Sequence, residues 1–318
     1  LGPLLFVLLC LSLYKQVLAQ PDLSLRWAEI KTSWQQPMFW VVVLLMLLNY
    51  GIESRKWQFL LSPLQKLSLF RAFKSVMAGC SITMLTPNRM GEYGGRILFV
   101  ESHHRLRAIS LTILGSISQL AVTIVMGTCG LLYLKYFSAD GAKIFEGMPL
   151  ILGNTLLAMS ILISMIMLLF YWRLGWLIRL MEKAKFLTKA LKYIRLLQQF
   201  SGKQLLRILV LSLFRYVVFI LQYILLLQLM NVQVPLMLCF WLLTVFYLVM
   251  AMAPSIGFTE LPLRATATVE IFKWYSGNLL GIQAAALSIW LINLVLPAII
   301  GSLLIVGIKI TKDHDENP

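Results

Sequence analysis

Apolar residues in this chain gather into long runs instead of alternating with polar ones. Six of these predict membrane spans: Leu4 to Tyr14, Met38 to Ile52, Ile109 to Tyr133, Met148 to Trp172, Ile208 to Met230 and Gly281 to Ile308. About 20 apolar residues cross a bilayer as a helix, so the first run is short and reads as a clipped first span. A cleaved signal ending near Ala19 is the competing reading. Two further runs, Leu69 to Met84 and Pro235 to Met252, are of marginal length, and each leads into a polar break.

The first break is Thr86-Pro-Asn-Arg-Met-Gly-Glu-Tyr-Gly-Gly-Arg96, three charges and three glycines between apolar flanks. The second is Ala253-Pro-Ser-Ile-Gly-Phe-Thr-Glu-Leu-Pro-Leu-Arg264. Irregular backbone at membrane depth persists only where protein or water satisfies it. Residues 69 to 104 therefore predict a re-entrant hairpin: one helix in, a break at Pro87 to Gly91, one helix out. Thr86 or Asn88 can cap the returning helix, and Pro87 suits a first turn. In the second break Thr259 caps, and Pro262 opens a helix running to about Tyr275.

The two breaks resemble each other. From Pro87, glycine, glutamate and arginine follow at Gly91, Glu92 and Arg96; from Pro254 they follow at Gly257, Glu260 and Arg264. Ionised groups at membrane depth are costly enough to mark a functional site. Arg89, Arg96 and Arg264 are expected to receive an anionic group, with Glu92 and Glu260 as their counter-ions. Gly91, Gly94, Gly95 and Gly257 are expected to allow close backbone approach and hinging beside Pro87 and Pro254. Two plainer readings stand beside this one, a cytoplasmic loop and a helix-stapling salt bridge between Glu92 and Arg96. Arg215, alone inside its span, is expected to snorkel to the surface.

Composition narrows the class. The chain is 59% hydrophobic and 13% charged, with a mean hydropathy of +0.82, and this reads as an all-α polytopic membrane protein. The net charge of +15 then belongs to cytoplasmic loops and anionic lipid surface, not to nucleic acid. Residues 173–207 hold nine basic residues against the single acid Glu182, with Leu187, Leu191, Ile194 and Leu197 at helical spacing. They predict an amphipathic cytoplasmic connector. Cys10, Cys80, Cys129 and Cys239 lie singly, so neither disulfides nor zinc are expected.

Twenty of the 28 Lys and Arg residues fall in loops on one side of this assignment and seven on the other. The positive-inside rule then places both termini in the cytoplasm. Each half reads span, span, hairpin, span, with residues 1–137 and 147–310 forming two half-repeats of opposite orientation within one integral membrane domain, 1–318. The expected architecture is about six full spans plus two re-entrant helical hairpins in an inverted repeat. Inverted repeats with broken helices around a central site are a transporter architecture.

The run Leu85 to Arg96, the string Glu53-Ser-Arg-Lys-Trp57 after the second span and the segment from Pro254 to Arg264 together resemble a known family. They are similar to the flippase-like membrane domain of lysylphosphatidylglycerol synthases, whose members include stand-alone bacterial membrane proteins and archaeal relatives linked to polyprenyl-sugar metabolism. The resemblance covers nearly the whole chain, and its T-P-x-x-x-G-E motif is moderately specific. It implies a lipid translocator in the bacterial cell (inner) membrane, with a phospholipid or polyprenyl-linked lipid as substrate, working alone or beside a separately encoded lipid-modifying enzyme. The cytosolic synthase domain is absent from this sequence, so aminoacyl transfer is not implied. Phe258 and Thr259 stand where the family's second motif commonly has small residues.

No cofactor is expected. The sequence lacks the G-x-x-x-x-G-K-[ST] loop of an ATP-driven pump, so energy would come from a gradient or from the lipid itself. The rival class is a lipid-linked glycosyl or phosphoryl transferase, or a scaffold that kept the fold. For a transferase the only Asp-x-Asp is Asp313-His-Asp315 in the tail. Glu101, His103 and His104 read as a solvated turn and not as a metal site.

Overall fold

A computed structural model of the protein describes residues 23–84, 86, 90–146, 148–182, 193–252 and 260–315, with Leu11, Lys15 and Leu18 ahead of them. In chain order the helices are α1 (Leu23–Thr32), α2 (Pro37–Leu61), α3 (Leu69–Met84), α4 (Gly91–Ile97), α5 (Arg105–Tyr136) and α6 (Leu150–Trp172). They continue as α7 (Leu174–Glu182), α8 (Gly202–Leu229), α9 (Leu236–Met252), α10 (Glu260–Phe272), α11 (Leu279–Trp290) and α12 (Leu296–Asp315). Among the described residues all regular structure is helical. Five stretches are long and apolar enough to cross a membrane: Pro37–Leu61, Ser102–Tyr136, Leu150–Trp172, Gly202–Leu229 and Leu279–Val306; Leu236–Met252 is a shorter apolar helix. The protein is an all-helical polytopic membrane protein. Along α6, Leu156, Met159, Leu162, Met165 and Leu169 are exposed, a contiguous apolar surface that lipid would solvate and water would not.

Two local departures from the sequence expectation have physical causes. The span expected to end at Ile52 continues as α2 through Leu61. Glu53, Lys56 and Trp57 are buried, so this string is not a cytoplasmic loop; the charges find partners and the helix has no reason to stop. The last span is interrupted by a π-helical turn at Leu291–Val295. Pro297 follows it, and a proline lacks the N–H and crowds the carbonyl four residues back, a strain that a widened turn relieves. The leading apolar run lies outside the described residues apart from Leu11, as does 183–192 of the basic connector.

By packing, the chain divides into two compact units. One holds Leu1–Leu48, Thr123–Ser164 and Val217–Asn293. Here Gly127 lies against Leu248 and Gly130 against Thr244, leaving no room for a side chain; small residues of this kind let membrane helices approach closely. Thr128 Oγ1 lies 2.8 Å from Ser164 Oγ, and Gln222 Nε2 donates to the Val42 carbonyl at 3.0 Å. The turn after α8 places Asn231 at a φ of 56°, a left-handed conformation that asparagine tolerates better than most residues. Asn278 donates to the Met230 carbonyl in that turn at 2.8 Å, and its side-chain oxygen caps α11 by accepting from the Gly281 N–H at 2.9 Å.

The other unit holds Asn49–Val122, Met165–Tyr216 and Leu294–Pro318. Its centre is α3, with α4 packed on one side and α12 also against it. Ala72, Val76, Met77 and Ala78 of α3 are buried with Trp57, Leu60 and Leu61 of α2. Ser118 and Ser212 share a hydrogen bond of 2.9 Å between α5 and α8, and Tyr171 Oη donates to the Leu205 carbonyl at 2.9 Å.

Candidate functional site

The α3–α4 hairpin positions the first predicted site. Thr86 Oγ1 accepts from the Gly91 N–H at 2.6 Å, satisfying one of the donors that an α-helix leaves unpaired at its start. Gly91 and Gly95, four apart on α4, face α3 so closely that a Cβ would run into the Ile82 and Ala78 carbonyls respectively. Gly94 differs from the expectation, since a Cβ there would meet nothing within 4 Å. The close approach belongs to one face of α4, and Gly94 is off that face. Pro87, Asn88 and Arg89 lie outside the described residues, as do Pro254, Gly257, Phe258 and Thr259.

Arg96 is the hub. Its Nη2 donates to Glu92 Oε1, one helical turn back, and to Glu53 Oε1 of α2 at 2.6 Å. Acid before base at a spacing of four is the favourable order on a helix. Glu53 Oε2 in turn accepts from Lys56 Nζ at 2.8 Å and from Arg215 Nη1 at 2.8 Å. Arg215 also donates through Nε to Asn49 Oδ1 at 2.8 Å. Trp57 stacks beside the hub with its ring 5.3 Å from the Arg96 guanidinium, and its Nε1 donates to Ser75 Oγ at 3.0 Å. Ser75 Oγ donates to the Arg96 carbonyl at 2.8 Å, so α3 also fixes the backbone of the hub.

Sequence reasoning missed half of this centre. Arg215 does not snorkel; it is held inward because Glu53 and Asn49 offer acceptors at its own depth. The signal was available in two places. Asn49, Glu53 and Lys56 recur at offsets of four and three, one polar stripe on a helix continued past Ile52, and an arginine inside an apolar run calls for an acid nearby.

The second predicted pair is again a glutamate and an arginine four residues apart. Arg264 Nη2 donates to Glu260 Oε1 at 2.7 Å on α10, and the guanidinium lies 5.6 Å from the Phe246 ring. Thr268 Oγ1 donates to the Arg264 carbonyl at 2.8 Å and lies 2.6 Å from Tyr223 Oη. Both Glu260 and Arg264 are buried. Pro262 occupies the first turn of α10, as expected.

Glu101, His103 and His104 place one ligand atom each within 4.8 Å of one another. His103 Nε2 is 3.5 Å from Glu101 Oε2. Glu101 and His103 are exposed at the short 3-10 turn before α5. Three such ligands could hold a divalent ion of the zinc type, a convergence that the sequence reading did not credit.

A protein family described as Lysylphosphatidylglycerol synthase TM region matches residues 1–259. The matched stretch includes Asn49, Glu53, Lys56, Glu92, Arg96 and Arg215, and it stops just before Glu260. No curated protein and no solved structure matches the chain.

Proposed function

Because the chain belongs to the lysylphosphatidylglycerol synthase TM region family, and so to membrane lipid chemistry, we propose that it is a lipid translocator that moves a polar or anionic phospholipid between leaflets. The observation that carries this reading is the buried Arg96 hub. Arg96, 2% exposed, sits in the last turn of α4, held by Glu53 on one side and by Glu92, whose side chain is 25% exposed, on the other. Arginine's planar fork suits a phosphate, and a counter-ion at the edge of the site keeps the guanidinium in place when no lipid is present. The Glu260–Arg264 pair supplies a second receiver of the same kind. The glycine contacts of α4 with α3 keep the hub on a rigid support.

The proposal includes a bacterial cytoplasmic membrane, cytoplasmic termini and two half-repeats, 1–137 and 147–310. Single cysteines near Phe137 and near Lys189 should label from opposite faces; labelling from one face overturns that topology. A separately encoded lipid-modifying enzyme is the partner this reading calls for.

Lipid scrambling in proteoliposomes tests the function itself, with headgroup-labelled phosphatidylglycerol and neutral lipids. Transfer by the wild-type protein that Arg96→Ala and Glu260→Ala abolish, in variants that keep their helical circular dichroism, supports the reading. Absence of transfer for every lipid in folded protein overturns it. The transferase reading draws on the Glu101, His103 and His104 trio; divalent-metal-dependent turnover of a lipid-linked sugar or phosphate would favour it.

A further inference from the structure

Successive side chains on a 3-10 turn ordinarily diverge, because each is set about a third of a turn from the last. At the turn that joins α4 to α5 they converge. The rings of His103 and His104 lie 3.9 Å apart between centroids, inclined at 48°, and one ligand atom from each meets a Glu101 oxygen with all three inside 4.8 Å. Mutual attraction is a poor reason for this. The side chains of Glu101 and His103 are 62% and 66% exposed, and ion pairs so open to solvent contribute little. Their separation of 3.5 Å is long for a hydrogen bond. It is close to the edge of a tetrahedron around zinc, about 3.3 Å for metal–ligand arms of about 2.0 Å.

A second observation is independent of that convergence. His104 Nδ1 is shut off from water and has no hydrogen-bond partner among the described residues. A neutral imidazole has one nitrogen that donates and one that accepts or binds a metal, and buried polar atoms are nearly always paired. An ion at the trio answers this one.

The backbone beneath the trio is already fixed. The His104 N–H donates to the Glu101 carbonyl at 2.9 Å, and the Glu101 N–H donates to Gln65 Oε1 at 3.1 Å. Gln65 Nε2 donates in turn to the Phe99 carbonyl at 3.4 Å. Gln65 lies between α2 and α3, so the ligand-bearing turn is docked on that link, and the side chains need only rotate to close on an ion. Arg105 and Arg107 follow at the start of α5 and oppose any cation. This favours a metal bound by coordination to imidazole over one held by charge alone.

We infer that Glu101, His103 and His104 bind one divalent ion of the zinc class, with water in the fourth position, and that the ion locks the α4–α5 turn in the form that docks on Gln65. Two imidazoles and one carboxylate suit zinc and its transition-metal neighbours, whereas magnesium and calcium prefer oxygen ligands. The site is separate from the Arg96 hub and does not rest on the translocator reading.

The test reads binding and not turnover. Untagged protein in uncharged detergent, stripped with a chelator, is titrated with zinc in a calorimeter. One ion per chain is expected, undisturbed by excess magnesium; equal competition by magnesium overturns the metal class. Glu101→Gln and His103→Ala should each weaken zinc by more than the about 10–100-fold that losing even an outer-shell partner costs. Both side chains are exposed, so the stripped variants should melt like the wild type. The chain's third histidine, His314, stands between Asp313 and Asp315, and His314→Ala should leave the affinity unchanged. Absence of zinc binding, or binding that is lost in His314→Ala and kept in His103→Ala, overturns the site. Amide hydrogen exchange across 99–105 reads the lock. Slower exchange on adding zinc, absent from His103→Ala, is expected, and equal exchange with and without bound zinc overturns it.

Discussion

The two Glu–Arg pairs come from strings that share the order proline, glycine, glutamate, arginine, yet they are held differently. In both, glutamate precedes arginine by four residues on a short helix, and in both the arginine is buried. Arg96 is embedded in a five-charge cluster that draws on α2, α4 and α8. Arg264 has its helix partner Glu260 and, as a further neighbour, the face of Phe246. The motif thus specifies the local pair, and the surrounding helices decide which further groups that pair meets. The family match includes the cluster and ends just before Glu260.

The strongest way to break this comparison is to remove the two acids separately. Glu53→Ala leaves Lys56, Arg96 and Arg215 facing one another, and orphaning buried charge costs about 3–5 kcal/mol. It should unfold or fail to accumulate, as judged by thermal melting in detergent. Glu260→Ala strands one arginine beside an aromatic face and should melt closer to the wild type. A larger loss for Glu260→Ala would reverse the ranking of the two sites.

Arg215→Met isolates what the cluster gains from α8. It removes hydrogen bonds to Glu53 and Asn49, and bonds to charged groups are worth about 1.5–3 kcal/mol each. Glu53 keeps Lys56 and Arg96, so a folded protein with a lowered melting temperature is expected. If Arg215 snorkelled instead, the melt would not move.

The glycine face sharpens the comparison at the backbone. Gly95→Ala forces a methyl group against the Ala78 carbonyl, an overpacking of about 1–3 kcal/mol, and displaces Arg96 next to it. Gly94→Ala fills open space and reduces backbone entropy, so it should be neutral or stabilise by about 0.5–1 kcal/mol. Opposite signs for neighbouring residues, read as melting temperatures, are the expected outcome. The smallest effect is expected at the second pair: Tyr223→Phe takes away the bond to Thr268 behind Arg264, worth about 0.5–1.5 kcal/mol.

How much of this was legible follows from which interactions are local. The hydropathy runs located α2, α5, α6, α8 and α9, because burial in lipid is written into the composition of each segment. The pairs Glu92–Arg96 and Glu260–Arg264 were legible from spacing alone, while the cap was narrowed only to Thr86 or Asn88. The partnership of Glu53 with Arg96 and Arg215 was not, since it joins positions 43 and 162 residues apart and no local pattern records which helices become neighbours. The missed extension of α2 has the same origin. A charged string looks like the end of a span until its partners are known.

One contact gives the hub a mechanical linkage. Gly301 of α12 is so close to α3 that a Cβ would strike the Met77 carbonyl, and Ser81 and Ser302 are joined at 2.7 Å. Ala78, the next residue along, is where Gly95 of α4 seats. The backbone of α3 is therefore gripped on two sides at adjacent residues, and it cannot slide or rotate without carrying both neighbours. The chain's last helix and the arginine-bearing hairpin behave as one gear. A torque applied at α12 would be felt at Arg96, and a spin-label pair on α12 and α4 should keep its separation while other distances in the protein change.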